Sequence, residues 1–400
     1  MKKELKEKVY LIADKVTEYS LYAVAFFIPI SIAAIESFIC FALLGFCIKK
    51  IILPDYTFIK SRIHFVLLFF IIFCSFSLLN SGQNISISLN ALFFKWGQYI
   101  LVFFMVQDTL VSKKRIRNTV GVFLFVGCFV ALDGFSQRFL GWEFFRGKHL
   151  GVINGSLMAT TGPFKHYNGL AAYLVCVLIL FVSIIFVKSY PRFLAFLKDR
   201  TIYWAKFLLL FLLVGCLFLT FSRGGWLGFL IASLLMLILT HKWKLVLLPC
   251  LFMLVLVSVP GIRERVMGGD SGRFNVWSGT FAMIKYHPLL GVGIGTFMAN
   301  LSQYTKGVGV FYAHNCYLQI WAETGIFALL SFISFISLLL WQGVKAFRKS
   351  HDYIVLGVLC AIFGFLVHSF FDVHLYSLQL AVLFWFLAGM LAVVSKDKIP

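Results

Sequence analysis

The chain of 400 residues is poor in charge, with Asp, Glu, Lys and Arg at 13%, where ordinary soluble domains carry about 25%. That scarcity excludes a soluble globule of this size, because too little polar side chain is present to cover its surface. Acid is scarcer still, at 16 Asp and Glu against 36 Lys and Arg. The excess of base does not pool in one domain. It falls in short clusters between apolar runs, which is a topology signal and not a nucleic-acid footprint, so no nucleic-acid partner is expected. Cysteine chemistry is also missing. Cys40, Cys47, Cys74, Cys128, Cys176, Cys216, Cys250 and Cys360 lie inside apolar runs and Cys316 alone is near a polar loop, so no disulfide framework is implied. There is no CxxC pair and no His/Cys cluster at zinc spacing, and no structural metal is expected. No internal repeat or low-complexity linker marks off a second unit, so residues 1–400 read as one integral membrane domain.

What is present is hydrophobic: 61% of residues, including 47 Phe and 9 Trp. Apolar runs recur near the roughly 20 residues that cross a bilayer as helix. They fall at 20–34, 36–48, 63–79, 91–107, 119–139, 168–187, 203–221, 226–240, 245–260, 314–343, 353–371 and 377–395, about twelve spans. All should be helices, since backbone polar groups in hydrocarbon must be satisfied within the segment. The alternating pattern of an outer-membrane barrel is absent. The first two spans are the weakest, because Pro29 and Glu36 interrupt one apolar stretch. A single tilted helix there would put the lysine-rich N-terminus and the Lys49/Lys50/Lys60/Arg62 cluster on opposite sides. Leu5, Val9, Ile12 and Val16 recur at helical spacing among lysines and suggest an interfacial helix on an anionic leaflet.

With both termini cytoplasmic, every inside segment is basic, from Lys2, Lys3, Lys6 and Lys8 through Lys113, Lys114, Arg115 and Arg117 to Lys396 and Lys398. Two outward connections are long, near 140–166 and 261–313. The second, between spans nine and ten, is large enough for short surface helices, and long structured loops are usually functional.

Topology accounts for the inside charges, so the outside ones carry the information. Arg223 sits in Ser222-Arg223-Gly224-Gly225, between two spans joined by almost no loop. An arginine so near hydrocarbon needs an anionic partner, and its fork of donors suits a phosphate oxygen pair; the bland alternative is a snorkelling side chain. Arg273 stands in Gly272-Arg273-Phe274-Asn275-Val276-Trp277, where a helix would put Trp277 on the same face; alone it reads equally as a headgroup anchor. Gly291, Gly293 and Gly295 lack the surrounding βαβ unit of a dinucleotide site, and are read as points of close backbone approach. His314 lies where the long loop enters a span of about 30 residues, or roughly 45 Å of helix, more than a hydrocarbon core needs. The first turns should therefore stand above the core or break near Gly325. At that wet boundary an imidazole can act as a general base, or serve as a capping histidine. Glu323 lies deeper and needs a partner. The segment Gly162-Pro163-Phe164 to Asn168 is either a turn before a helix or a hydrogen-bonding element for a sugar or diphosphate. His368 and Asp372 are weaker candidates, and Asp133 in the fifth span is the residue that most favours transport.

Taken together, these segments resemble the O-antigen ligase / O-antigen polymerase family of bacterial membrane glycosyltransferases. The likeness rests on Ser222-Arg223-Gly224, on Ser271-Gly272-Arg273 through Trp277 to Pro288-Leu289-Leu290-Gly291-Val292-Gly293, and on His314-Asn315 with Leu318, Glu323 and Gly325. The resemblance implies an all-α polytopic fold of the GT-C type in the bacterial inner membrane with a periplasmic site. It implies an inverting, metal-independent transfer of a glycan from undecaprenyl diphosphate to an acceptor hydroxyl, with no cofactor. Carried over, Arg223 and Arg273 would bind the donor diphosphate and His314 would help activate the acceptor; Ser222, Asn168 and Asn315 are further substrate-binding candidates. The acceptor would be lipid A–core in a ligase or a growing glycan in a polymerase. A secondary transporter or flippase is the alternative from another class, though the charges cluster near one surface and no repeat is visible.

Overall fold

The computed structural model describes residues 2–56, 61–153, 157–185, 203–242, 258, 263, 273–305 and 312–396. Among them, six helical stretches are long and apolar enough to cross a membrane: Ile32–Ile52, Arg62–Asn80, Gly82–Thr109, Lys113–Leu140, Tyr167–Ile185 and Cys316–Ser350. Four shorter apolar helices, Lys206–Leu219, Arg223–Leu239, Tyr353–His368 and Leu378–Val394, accompany them. The described residues are thus predominantly helical, and the protein is a multi-pass membrane protein. The ninth expected span, 245–260, and most of 261–272 lie outside the described residues.

The helices are α1 (Lys2–Phe27), α2 (Ile32–Ile52), α3 (Arg62–Phe76), α4 (Ile85–Asn90), α5 (Gln98–Thr109), α6 (Lys113–Leu140), α7 (Tyr167–Ile185), α8 (Tyr203–Leu219) and α9 (Arg223–Leu239). They continue as α10 (Arg273–Tyr286), α11 (Phe297–Tyr304), α12 (Cys316–Ser350), α13 (Tyr353–His368) and α14 (Leu378–Val394). A π turn, Ala91–Gly97, joins α4 to α5 without a break. A small antiparallel ribbon, Gly151–Ile153 with Leu157–Ala159, follows α6.

The interrupted first stretch is a hairpin and not one tilted helix. The chain turns at 28–31, around Pro29, and α2 packs back along α1, with Gly45 so close to Ala13 and Thr17 that an added Cβ would lie 2.5 Å from the Thr17 hydroxyl. The segment expected to lie on a leaflet is the first part of α1, which runs unbroken into this hairpin; Leu5, Val9, Ile12 and Val16 stay exposed there while Ala13 and Thr17 pack on α2.

Charges separate to the two ends of the bundle. At one end Lys49 pairs with Asp14 and Asp108, both at 2.7 Å, Arg115 pairs with Glu18 at 2.9 Å and with Asp14, and Lys50 pairs with Asp108. These groups belong to loops expected inside. The groups expected outside gather at the other end, where α6 finishes and α7, α9 and α12 begin.

Helices α7, α13 and α14 are apolar on all sides and form the buried centre, as such helices must. Contact among them relies on small residues. An added Cβ on Gly228 of α9 would sit 2.7 Å from the Gly364 carbonyl of α13, and one on Gly224 would sit 2.5 Å from the His368 ring. These two glycines, four apart on one face, bring the start of α9 onto the end of α13 and so fix where Arg223 emerges.

The long helix α12 breaks at Gly325 (φ 79°, ψ 175°), as its excess length requires. The glycine-rich segment after α10 seats in that break. Val292 and Gly293 N–H donate to the Ala322 and Glu323 carbonyls, and Ile326 N–H donates to Pro288 O, at 2.9 Å each. The buried Glu323 carboxylate accepts from Gly295 N–H at 2.8 Å and Phe297 N–H at 3.2 Å. The alternating glycines therefore serve close backbone approach, the partner being α12. Removing the acceptor leaves both N–H groups without a partner at about 1–3 kcal/mol each, so Glu323→Ala should lower stability by roughly 3 kcal/mol, read as a lower Tm in detergent. Gly325→Ala, whose Cβ would meet Leu289 O at 1.9 Å at a left-handed φ, should fail to accumulate as folded protein.

Candidate functional site

Two tight corners set the positions of the principal side chains. Phe221 (φ 52°) and His314 (φ 49°) both adopt left-handed backbone, a conformation that is strained for residues with side chains and concentrates at functional sites. Each is followed by a helix N-cap. Ser222 Oγ accepts from Gly225 N–H at 3.2 Å, and Asn315 Oδ1 accepts from Tyr317 N–H at 2.9 Å and Leu318 N–H at 3.0 Å. Caps of this kind stabilise a helix start by about 1 kcal/mol. Here they also set Arg223 at the first turn of α9 and His314 one residue before the cap of α12.

Arg223 and Arg273 line one pocket of about 300 Å³ with Asn168, Gly224, Leu227, Phe274, Trp277, His368 and Phe371. Trp277, four residues after Arg273 in α10, donates its indole N–H to Ala313 O at 2.8 Å. That bond ties the Arg273 helix to the residue preceding His314, so the expected shared face is real and is used.

Beside the pocket, side chains far apart in sequence join in a chain. His314 Nδ1 lies 3.5 Å from Asp372 Oδ1, an ion-pair contact longer than a formed hydrogen bond. Asp372 Oδ2 accepts from Asn168 Nδ2 at 2.6 Å. Asn168 Oδ1 accepts from Ser222 Oγ at 2.8 Å, and Ser222 Oγ lies 3.3 Å from His368 Nε2. The loop carrying Asp372 is held on α12, where Cys316 N–H donates to Ser369 O at 2.9 Å. The six residues singled out from sequence thus converge at one end of the bundle. Asp372 and His368, ranked low there, turn out to link them; a partner 204 positions from Asn168 leaves no local pattern to read.

Burial works to raise the Asp372 carboxyl, but the His314 contact, the nearby His374 and the Val373 N–H outweigh it, holding Asp372 below the usual carboxylate range. It is an anion at any working pH. His374, behind it, is pushed down to about 4 by burial, against the pull of Asp372, and its ring meets that of His368 edge-on at 4.2 Å. A histidine with a depressed folded value binds fewer protons folded than unfolded, so stability falls as pH drops below the free-imidazole range near 6.5 towards 4. Over that window His374 contributes a loss of up to about 3 kcal/mol, and the acid limb of a Tm-versus-pH curve should flatten in His374→Asn.

The loop after α6 is anchored from the same helix. Asp133 Oδ1 accepts from Phe144 N–H at 2.6 Å, and Gln137 bonds Thr161 and Gly162 N–H and the Lys148 and His149 carbonyls. The residue that most favoured transport therefore acts as a loop anchor near one end, and Gln137, one turn on, holds the segment leading to Asn168.

Apolar helices around an arginine-lined pocket at one end define a polytopic membrane protein with a polar site at its surface. Residues 208–333 match the family model described as O-antigen ligase, so the family resemblance read from the motifs holds over a region that contains Ser222, Arg223, Arg273, His314 and Asn315. Asn168 and Asp372 lie outside it. No curated protein matches the chain. One similar solved chain comes from work described as "Structural coordination of polymerization and crosslinking by a peptidoglycan synthase complex". It is 17% identical, with 82% of this chain and 95% of that chain covered and a TM-score of 0.42, a likeness too distant to carry an argument.

Proposed function

We propose that the protein is a membrane glycosyltransferase of the O-antigen ligase type, which moves a glycan from undecaprenyl diphosphate to a hydroxyl of lipid A–core on the periplasmic side. The observation that carries this reading is the joining of an arginine-lined pocket, through Asn168, to the His314–Asp372 pair. Arg223 and Arg273 hold the diphosphate and stabilise the charge that develops as the glycosidic C–O bond breaks. His314 takes the proton of the acceptor hydroxyl as its oxygen attacks the anomeric carbon from the opposite face, so the linkage inverts. Asp372 orients the ring and stabilises it once protonated, as a carboxylate does for other catalytic imidazoles. Asn168 bonds the carboxylate and Ser222 bonds Asn168, while Asn315, through its cap of α12, sets the position of His314. The donor's lipid tail leaves beside Leu227 and Phe371 towards hydrocarbon.

Reconstitution of the purified protein with undecaprenyl-diphosphate glycan tests this. Product on added lipid A–core supports the reading. Chain growth without that acceptor assigns the same chemistry to a polymerase, and donor crossing the bilayer with no bond formed refutes it in favour of a flippase.

A further inference from the structure

At the end of the bundle opposite this site, a groove of about 660 Å³ opens between the start of α3 and the side of α5, lined by Ser61, Arg62, His64, Phe65, Leu67, Leu68, Ile71 and Phe104. We propose that it holds one anionic phospholipid of the leaflet at the basic end, with its phosphate on Arg62 and an acyl chain along the aromatic and aliphatic wall.

Its walls are apolar, and two of them are uncovered by protein: Phe65 is 62% exposed and Leu68 50%. A hydrocarbon chain fits that surface, and a free inorganic anion does not. The polar end is already organised. His64 bridges Ser61 Oγ at 2.6 Å and Gln107 Oε1 at 3.0 Å, so both its ring nitrogens have partners within the protein. Arg62 differs. It is exposed, and among the described residues no carboxylate pairs with it, whereas the neighbouring Lys49, Lys50 and Arg115 all have acidic partners. Lys396 lies within electrostatic reach of Asp108 and Asp55. Among the described residues, the cation at the mouth of this apolar groove without an acidic partner is therefore Arg62, and its planar fork matches two phosphate oxygens. Charge complementarity selects a headgroup with net negative charge over a zwitterionic one, whose own ammonium competes for the phosphate.

Native mass spectrometry of the full chain in uncharged detergent tests the assignment, with phosphatidylglycerol, phosphatidylcholine and inorganic phosphate as probes. The expected result is one retained phosphatidylglycerol per chain, preferred about tenfold over phosphatidylcholine and not displaced by inorganic phosphate. The preference should vanish in Arg62→Gln, persist in Arg62→Lys, and retention itself should fall in Leu68→Trp, which fills the groove. Unchanged preference in Arg62→Gln, equal retention of phosphatidylcholine, or displacement by free phosphate would overturn it.

Discussion

Replacing Arg223 or Arg273 with alanine should lower glycan transfer at least about 100-fold while leaving the protein in the membrane. Removal of one preorganised donor to a developing anion costs about 10²–10³ in rate, and in the proposed reaction the leaving diphosphate would develop its charge in the pocket these two side chains line. Both are partly exposed and line an open pocket, so truncation removes little packing and the loss should fall on kcat more than on Tm. Lysine at either position should recover only part of the rate, because a point charge does not reproduce the bidentate fork. Pocket glycines behave differently. Gly224 lies against His368 with no room for a methyl group, so Gly224→Ala should cost stability and activity together, whereas the arginine variants separate the two.

The second large effect is on the imidazole. His314→Ala should reduce transfer by about 10²–10⁴, the usual contribution of a positioned base. Asp372→Asn should also reduce kcat, because Asn places no negative charge 3.5 Å from the ring to stabilise it once it has taken the acceptor's proton. Were Asp372 only a loop tether, Asn would keep the Asn168 contact through its remaining carbonyl and kcat would hold.

The residues that sequence reasoning found share one property: each is polar where its surroundings are not. Arg223 at a turn between two spans and His314 at the mouth of an overlong span stand out against hydrocarbon, and the break at Gly325 follows from helix length alone. Asp372 escaped that logic because a carboxylate in a short outward link is ordinary; its importance lies in Asn168 and His314 arriving from other helices. Ser222 and Asn315 were legible as polar residues beside Arg223 and His314, but their work as helix caps is a matter of backbone geometry. At the other end, Leu5, Val9, Ile12 and Val16 have the spacing of a helix lying on a membrane, and nothing in that spacing shows that Ala13 and Thr17 pack on α2 at Gly45. Periodicity names a face and not its partner. The alternating glycines were legible as points of close approach, while the surface they approach, the break in α12, became visible only in the fold.

The most direct measurement is a cryo-EM structure of the protein with a non-hydrolysable undecaprenyl-diphosphate glycan. The account predicts the two phosphates between Arg223 and Arg273, and the anomeric carbon within reach of a hydroxyl placed on His314. Phosphates bound elsewhere, with both guanidinium groups turned away from them, would contradict it.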